Sequence, residues 1–146
     1  MRQLLFGVII AGVLALAACG SNSNNGNING NWTASLMSSN NGAPVFNFGL
    51  SMTQMSGGSL SVTNLNFSSG QACFQGGASA TGGFSVSGNF NGNVSGALTM
   101  NIQGTSLSNQ LSLQGTVNNN VVTGNWTLTG TTAGCTGSGT FTMNKS

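Results

Sequence analysis

Residues 84–102, FSVSGNFNGNVSGALTMNI, contain the pattern that decides the fold. Apolar side chains alternate with polar ones on both sides of Asn91-Gly92, and this dipeptide between alternating segments is typical of a tight β-hairpin turn. The segment therefore predicts two antiparallel strands. The apolar face of the first carries Phe84, Val86 and Phe90, and that of the second carries Val94, Leu98, Met100 and Ile102.

The same alternation continues outward in both directions, and no segment keeps a helical period, so we expect an all-β chain. It predicts about eight strands, separated by turns at Asn40-Asn41-Gly42, Ser56-Gly57-Gly58 and Asn118-Asn119-Asn120. The other predicted inward positions are Trp32, Ala34 and Leu36; Phe46, Phe48, Leu50 and Met52; Leu60, Val62, Leu65 and Phe67; Leu107, Leu111, Leu113 and Val117; Val122, Trp126 and Leu128; and Cys135, Phe141 and Met143.

Two stretches interrupt this regularity. The apolar phase changes between Val62 and Leu65, which predicts a β-bulge near Thr63-Asn64. Residues 68–82 are the least regular part of the chain. The remaining connections are short, so consecutive strands are expected to be antiparallel neighbours in an up-and-down meander.

Glycines recur at positions where the alternation calls for an apolar residue. Glycine in a strand often marks a point where a sheet bends or closes, which favours a small closed or nearly closed barrel, with a β-sandwich as the alternative. Large residues of the first two strands, such as Trp32 and Phe48, are expected to fill the space above these glycines and to leave no well-formed internal pocket. The glycines are Gly88, Gly96, Gly115, Gly124, Gly137 and Gly139.

The amino-terminal segment has the features of an export signal. An apolar run begins at Leu4 behind Arg2 and closes at Leu16-Ala17-Ala18-Cys19, too short to span a membrane. The closing tetrapeptide resembles the lipobox of bacterial lipoproteins. This resemblance implies that residues 1–18 are removed and that Cys19 is acylated. The alternative is an ordinary signal peptide cut before Cys19, which would leave a free thiol.

The lipobox resemblance also implies a place in the cell. Acylated Cys19 would anchor the chain to a membrane of the cell envelope, and residues 19–29, rich in Asn, Ser and Gly, are expected to form a flexible tether. Gly20 stands where an Asp would resemble the signal for retention in the inner membrane, which favours the outer membrane. Residues 30–146 are of a length that suits a single β domain.

The first predicted strand opens with Gly30-Asn31-Trp32, which resembles the Gly-X-Trp opening of lipocalins and avidin-like barrels. The resemblance implies that Trp32 packs at the closed end of an eight-stranded barrel. Gly124-Asn125-Trp126 repeats the tripeptide. The Asp and Tyr ligands of avidin-like barrels have no counterparts here, so no ligand-binding residue is carried over.

Two cysteines remain if Cys19 carries lipid. An even pair in an exported protein predicts a disulfide between Cys73 and Cys135, which would stabilise the fold by about 4 kcal/mol. A redox site is the alternative. It lacks support because the two cysteines are far apart in sequence and have no basic neighbour to favour a thiolate.

The composition excludes several kinds of function. The chain has no Asp, Glu or His, and Arg2 and Lys145 are its only charged residues. We therefore expect no acid–base catalysis, no metal site, no cofactor and no nucleic-acid partner.

Two hypotheses for the function remain. In the first, an envelope protein with a structural or accessory role acts through its outer surface or loops, on polysaccharide or on copies of itself. In the second, a lipocalin-like module binds a small apolar molecule or a glycan in its interior or at an exposed Trp32 or Trp126. For each tryptophan, a place in the core is the simpler interpretation.

Overall fold

The computed structural model describes residues 28–90, 93–105 and 108–146, without the side chains of residues 88–90 and 93. Among these residues, no helix is long and apolar enough to cross a membrane. Several predictions lie outside the described residues, namely the signal peptide of residues 1–18, the acylation of Cys19, most of the tether, the Asn91-Gly92 turn and the inward position of Leu107.

Eight β-strands form one closed barrel, in which each strand pairs with the next and β8 pairs with β1. All of these pairs are antiparallel. The predicted all-β meander and its closure are confirmed, and the sandwich alternative is wrong. The strands are β1 Gly30–Ser38, β2 Pro44–Gln54, β3 Ser59–Ser69, β4 Ala78–Phe90, β5 Asn93–Gly104, β6 Gln110–Asn118, β7 Val121–Thr129 and β8 Gly137–Lys145.

The up-and-down order gives the barrel two different ends. At the end that we call the amino end, Ile28 leads into β1, β8 finishes, and connections join β2 to β3, β4 to β5 and β6 to β7. The opposite end carries the other four connections. We call it the disulfide end, because Cys73 lies between β3 and β4 and Cys135 lies between β7 and β8.

Alternation along the strands builds the core inside the barrel. In β1, Trp32, Ala34 and Leu36 are 0–1% exposed, whereas the intervening Asn31 and Thr33 face solvent. The described inward positions predicted for β2, β5, β6, β7 and β8 are buried in the same way. A continuous apolar core therefore runs around the barrel, as period-two patterning requires.

Ile28 and Asn29 belong to the barrel rather than to the predicted tether. Ile28 is completely buried, and its carbonyl oxygen accepts a hydrogen bond of 2.8 Å from the indole Nε1 of Trp32. The Asn29 side-chain oxygen accepts a hydrogen bond of 2.6 Å from the backbone N–H of Gln54. Packed residues thus extend back to Ile28, two residues before the predicted boundary at Gly30.

The predicted bulge in β3 is present. Gly49 pairs with Asn66 while Ser51 pairs with Thr63, so β3 contains one extra residue opposite β2 at this point. Asn64 has a φ of +54°, a conformation that asparagine adopts more readily than most residues. The bulge shifts the phase of the strand, which explains the change in the apolar pattern.

β4 differs from the sequence prediction in two respects. It begins at Ala78, inside the stretch predicted to be least regular, because that stretch pairs with β5. Val86 was expected beside Phe84 on the inward face, but it is 47% exposed while Phe84 is buried. The reason is that β3 begins at Ser59, opposite Gly83, so no strand covers that side of β4 beyond this point.

Aromatic rings occupy the space above several inward glycines. The rings come from β4, β7 and β8, so the prediction that large residues of the first two strands fill this space is wrong. Gly137, expected in the same register, is exposed. A Cβ atom on Gly96 would lie 2.5 Å from the Phe84 ring, one on Gly115 would lie 2.7 Å from the Phe141 ring, and one on Gly139 would lie 2.8 Å from Nε1 of Trp126.

Candidate functional site at the seam of the barrel

The weakest junction of the barrel lies between β3 and β4. These strands pair only at Ser59 with Gly83 and at Leu60 with Gly82. The pairs on either side, β2 with β3 and β4 with β5, extend over most of the strand length. From Leu60 towards the disulfide end, β3 and β4 are not paired with each other, and we call this opening the seam.

Local sequence explains how the chain crosses the seam. After β3, Gly70 adopts a φ of +73°, and the ring of Phe46 occupies the place where a Cβ atom would stand. Only glycine meets both requirements without strain. The chain then forms the 3₁₀ helix Gln71–Phe74 and turns through Gly76 and Gly77, which also have positive φ, into β4.

An open cleft of about 370 Å³ follows the seam near the disulfide end. Its floor is formed by Phe67 and Phe74, whose rings stack with centroids 4.5 Å apart and an interplanar angle of 12°. Phe67 and Phe74 are 8% and 5% exposed, so only a small part of each residue reaches the cleft. The other lining residues are Leu65, Asn66, Gln71, Gln75, Gly76, Gly77 and Ala78.

Carboxamides supply the polar groups of the cleft. Asn66, Gln71 and Gln75 are exposed along its rim, and Nε2 of Gln71 donates a hydrogen bond of 2.8 Å to the carbonyl oxygen of Phe67. None of the described residues that line the cleft is ionisable. Amides both donate and accept hydrogen bonds, so this surface suits a neutral ligand that carries hydroxyl or amide groups.

An aromatic cluster supports the floor from inside the barrel. The ring of Phe46 lies at its centre and meets Phe67, Phe74 and Trp126 edge to face, with centroids 6.4, 6.2 and 5.8 Å away. Nε1 of Trp126 donates a hydrogen bond of 2.9 Å to the backbone carbonyl of Met37. Edge-to-face contacts of this kind are favourable, so the floor is held in one arrangement.

The predicted disulfide joins the 3₁₀ helix to the β7–β8 connection. Cys73 and Cys135 are bonded, with a Cα–Cα distance of 5.5 Å and a sequence separation of 62. Both cysteines are buried. Closing a loop of this size constrains the unfolded chain and stabilises the fold by about 4 kcal/mol. The bond therefore fixes one wall of the cleft to the opposite side of the barrel.

Asn109 links two connections at the same end through hydrogen bonds of its buried side chain. Its Nδ2 donates to the carbonyl oxygen of Cys73 at 2.7 Å and lies 3.2 Å from Oγ1 of Thr132. Asn109 is completely buried, and its side-chain oxygen has no hydrogen-bond partner among the described residues. This oxygen occupies the space next to Gly130 that a Cβ atom would need. Nothing in the sequence pattern pointed to this residue.

Neither tryptophan is available as an exposed platform. Trp32 is 1% exposed and Trp126 is 3% exposed, and each donates its indole N–H to a backbone carbonyl. The hypothesis that an exposed Trp32 or Trp126 holds a ligand is therefore wrong. Trp32 instead packs inside the barrel at its amino end.

Comparison of the chain with protein-family models, with curated proteins and with solved structures finds no match. The resemblances of Leu16-Ala17-Ala18-Cys19 and of Gly30-Asn31-Trp32 thus rest on those residues alone. Acylation of Cys19 stays a prediction, and the seam cleft is the candidate site that the described residues support.

Proposed function

We propose that this chain is a lipid-anchored lipoprotein of the cell envelope, held at the outer membrane, with a non-enzymatic, accessory role. Its barrel binds a neutral envelope polysaccharide through the seam cleft. The observation that carries the proposal is the cleft itself, in which neutral amides surround an aromatic floor.

The chemistry of the cleft matches that of a sugar chain. Carboxamides of Asn66 and Gln75 offer both donors and acceptors to hydroxyl or acetamido groups, and the small exposed parts of Phe67 and Phe74 offer an apolar surface to C–H groups. The chain has no acidic residue, so long-range charge neither attracts nor repels a neutral polymer.

The anchor follows from the lipobox-like residues. Several acyl chains on Cys19 bury many methylene groups, each worth about 0.8 kcal/mol, so membrane attachment is effectively permanent. A permanently attached protein does not need a high affinity for its polymer. Neighbouring copies on the membrane bind the same polysaccharide chain, so several weak binding events together give a high avidity.

The test is calorimetric titration of the mature protein with chitin oligosaccharides, which are neutral chains of N-acetylglucosamine, and sedimentation with insoluble cellulose, a neutral chain of glucose. The double variant Asn66→Ala/Gln75→Ala should bind at least about tenfold more weakly, the usual effect of losing one or two hydrogen bonds. The matched control Gln103→Ala/Gln114→Ala, which removes exposed amides from β5 and β6, should bind like the parent.

Failure of the parent protein to bind either glycan would contradict the proposal. If the parent instead forms dimers that the Asn66→Ala/Gln75→Ala variant cannot form, self-association through the seam replaces glycan binding as the function. A small apolar ligand inside the barrel has less support, because the rings of Phe84, Phe141 and Trp126 occupy the space above the inward glycines.

A further inference from the structure

Within the part of the chain that the structure describes, the most exposed large apolar side chains lie at the amino end of the barrel. Among the described residues, the large apolar side chains that are more than a third exposed are Met55 at 52%, Val86 at 47% and Val121 at 37%. Met55 follows β2, Val86 lies in the last part of β4, and Val121 opens β7. Single exposed apolar residues are ordinary, but their confinement to one end requires a reason.

Val86 is the most informative of the three. Val86 lies two residues after buried Phe84, on the same face of β4, so its position in the pattern is that of a core residue. It nevertheless lines an open cleft of about 520 Å³ with Gln54, Gly57 and Gly58, because no strand covers it there. An apolar position without a cover suits a partner that is itself apolar.

The chain that precedes the barrel enters at this same end. Ile28 is completely buried, and its carbonyl oxygen accepts a hydrogen bond from the indole of Trp32, so the chain is fixed to the barrel at this residue. Eight residues, 20–27, separate it from Cys19. Even a fully extended chain of this length spans only about 30 Å, so a membrane-anchored Cys19 keeps the amino end close to the bilayer.

Charge does not oppose contact with a bilayer. The chain contains no Asp or Glu, so no carboxylate side chain repels anionic headgroups. Lys145, one of only two charged residues in the sequence, pairs with Trp32 in the β1–β8 register and so lies at the amino end as well. A short anchor also raises the effective concentration of the surface to the millimolar range, at which weak apolar contacts suffice.

We propose that the amino end docks on the lipid bilayer, with Met55, Val86 and Val121 entering its interfacial layer. This docking rests on the proposed acylation of Cys19. It orients the barrel so that the disulfide end, with the seam cleft, points away from the membrane. The exposed apolar side chains of the amino end thus contact a lipid surface rather than another protein.

The experiment uses the mature, acylated protein in vesicles of phosphatidylethanolamine and phosphatidylglycerol with brominated acyl chains. A fluorophore is attached through Ser56→Cys at the amino end or through Asn40→Cys at the disulfide end, both exposed positions. We expect brominated lipid to quench the first label at least about threefold more than the second, because bromine quenches only at short range. Quenching of the first label should fall to the level of the second in Met55→Ser/Val86→Ser/Val121→Ser.

A control variant, Ala72→Ser/Ala133→Ser, removes exposed apolar side chains at the disulfide end and should leave the quenching unchanged. Equal quenching of both labels in the parent, or full quenching in the triple variant, would overturn the docking. If mass spectrometry shows acylated protein in either case, the docking fails while the proposed lipoprotein stands. If it shows no acyl chain on Cys19, the proposed anchor fails and the docking fails with it.

Discussion

At the scale of single residues, this barrel depends on pairs of glycine and an aromatic ring. Gly96 faces inward on β5, and a Cβ atom there would collide with the carbonyl oxygen of Ser85 and with the ring of Phe84. Glycine in a strand costs about 0.5–1 kcal/mol relative to alanine. Here that cost is offset, because the ring buries its full surface where a side chain would otherwise stand.

Replacing Gly96 should therefore be harmful although alanine is the better strand residue. We expect Gly96→Ala to lower the free energy of unfolding by about 1–3 kcal/mol, because β4 and Phe84 must move to admit the methyl group. The measurement is the urea midpoint at constant slope. The control is Gly49→Ala, whose Cβ atom would lie 3.8 Å from its nearest neighbour, the Trp32 carbonyl oxygen.

For Gly49→Ala we expect no loss of stability. Equal shifts of the urea midpoint in the two variants would contradict the pairing of glycine with rings, since the effect would then come from backbone entropy alone.

At the scale of elements, the seam divides the barrel into well-paired and poorly paired parts. β3 is bonded to β2 along its length, yet on its other side it meets β4 only at Ser59 and Leu60. β6, in contrast, is paired on both sides from Gln110 to Asn118. Backbone amides that lack a cross-strand hydrogen bond exchange their hydrogen with water more easily.

Amide hydrogen exchange should report this difference. Seam-facing amides of β3 beyond Leu60 and of β4 before Gly82 should exchange at least about tenfold faster than those of β6. Two-dimensional NMR in deuterated buffer gives these rates residue by residue. Equal protection in β3 and β6 would mean that the seam is closed by contacts other than strand pairing.

The sequence predicted the strands and their order better than it predicted how far neighbouring strands pair with each other. Alternation is a local property, so the faces of β1, β2, β5, β6 and β7 could be read directly. The exposure of Val86 could not, because it depends on where a different strand, β3, begins opposite Gly83. A bulge can be seen in the phase of the pattern, whereas a missing strand partner cannot.

The candidate site was hidden for a related reason. The seam cleft combines the second half of β3 with the stretch that the sequence marked only as irregular. Positive φ at Gly70, Gly76 and Gly77 makes that stretch possible, but glycine is so common in this chain that these three gave no separate signal. The disulfide was predictable from the expectation of export, because an even pair of cysteines in an exported protein usually forms one. Asn109 was not predictable, since one buried amide leaves no periodicity.

At the scale of the whole molecule, the proposed acylation of Cys19 predicts where the barrel is held. We expect Cys19→Ser to lose the mass of its acyl chains and to move from the membrane fraction to the soluble fraction, because no other lipid attachment is predicted. Fractionation with mass spectrometry checks this. The control Ser23→Ala, a few residues further along, should remain in the membrane fraction. A Cys19→Ser variant that still fractionates with membranes would show that another part of the chain holds it there.

Closure of the barrel joins strands from opposite ends of the chain, since Trp32 pairs with Lys145 and Ala34 with Met143. Contacts so distant in sequence form slowly, because the whole intervening chain must be ordered before they are made. Until β8 has been synthesised, the backbone N–H and C=O groups on one edge of β1 have no partner strand and can pair with a strand of another molecule. A premature stop within β8 would therefore yield an open, aggregating sheet rather than a slightly smaller barrel.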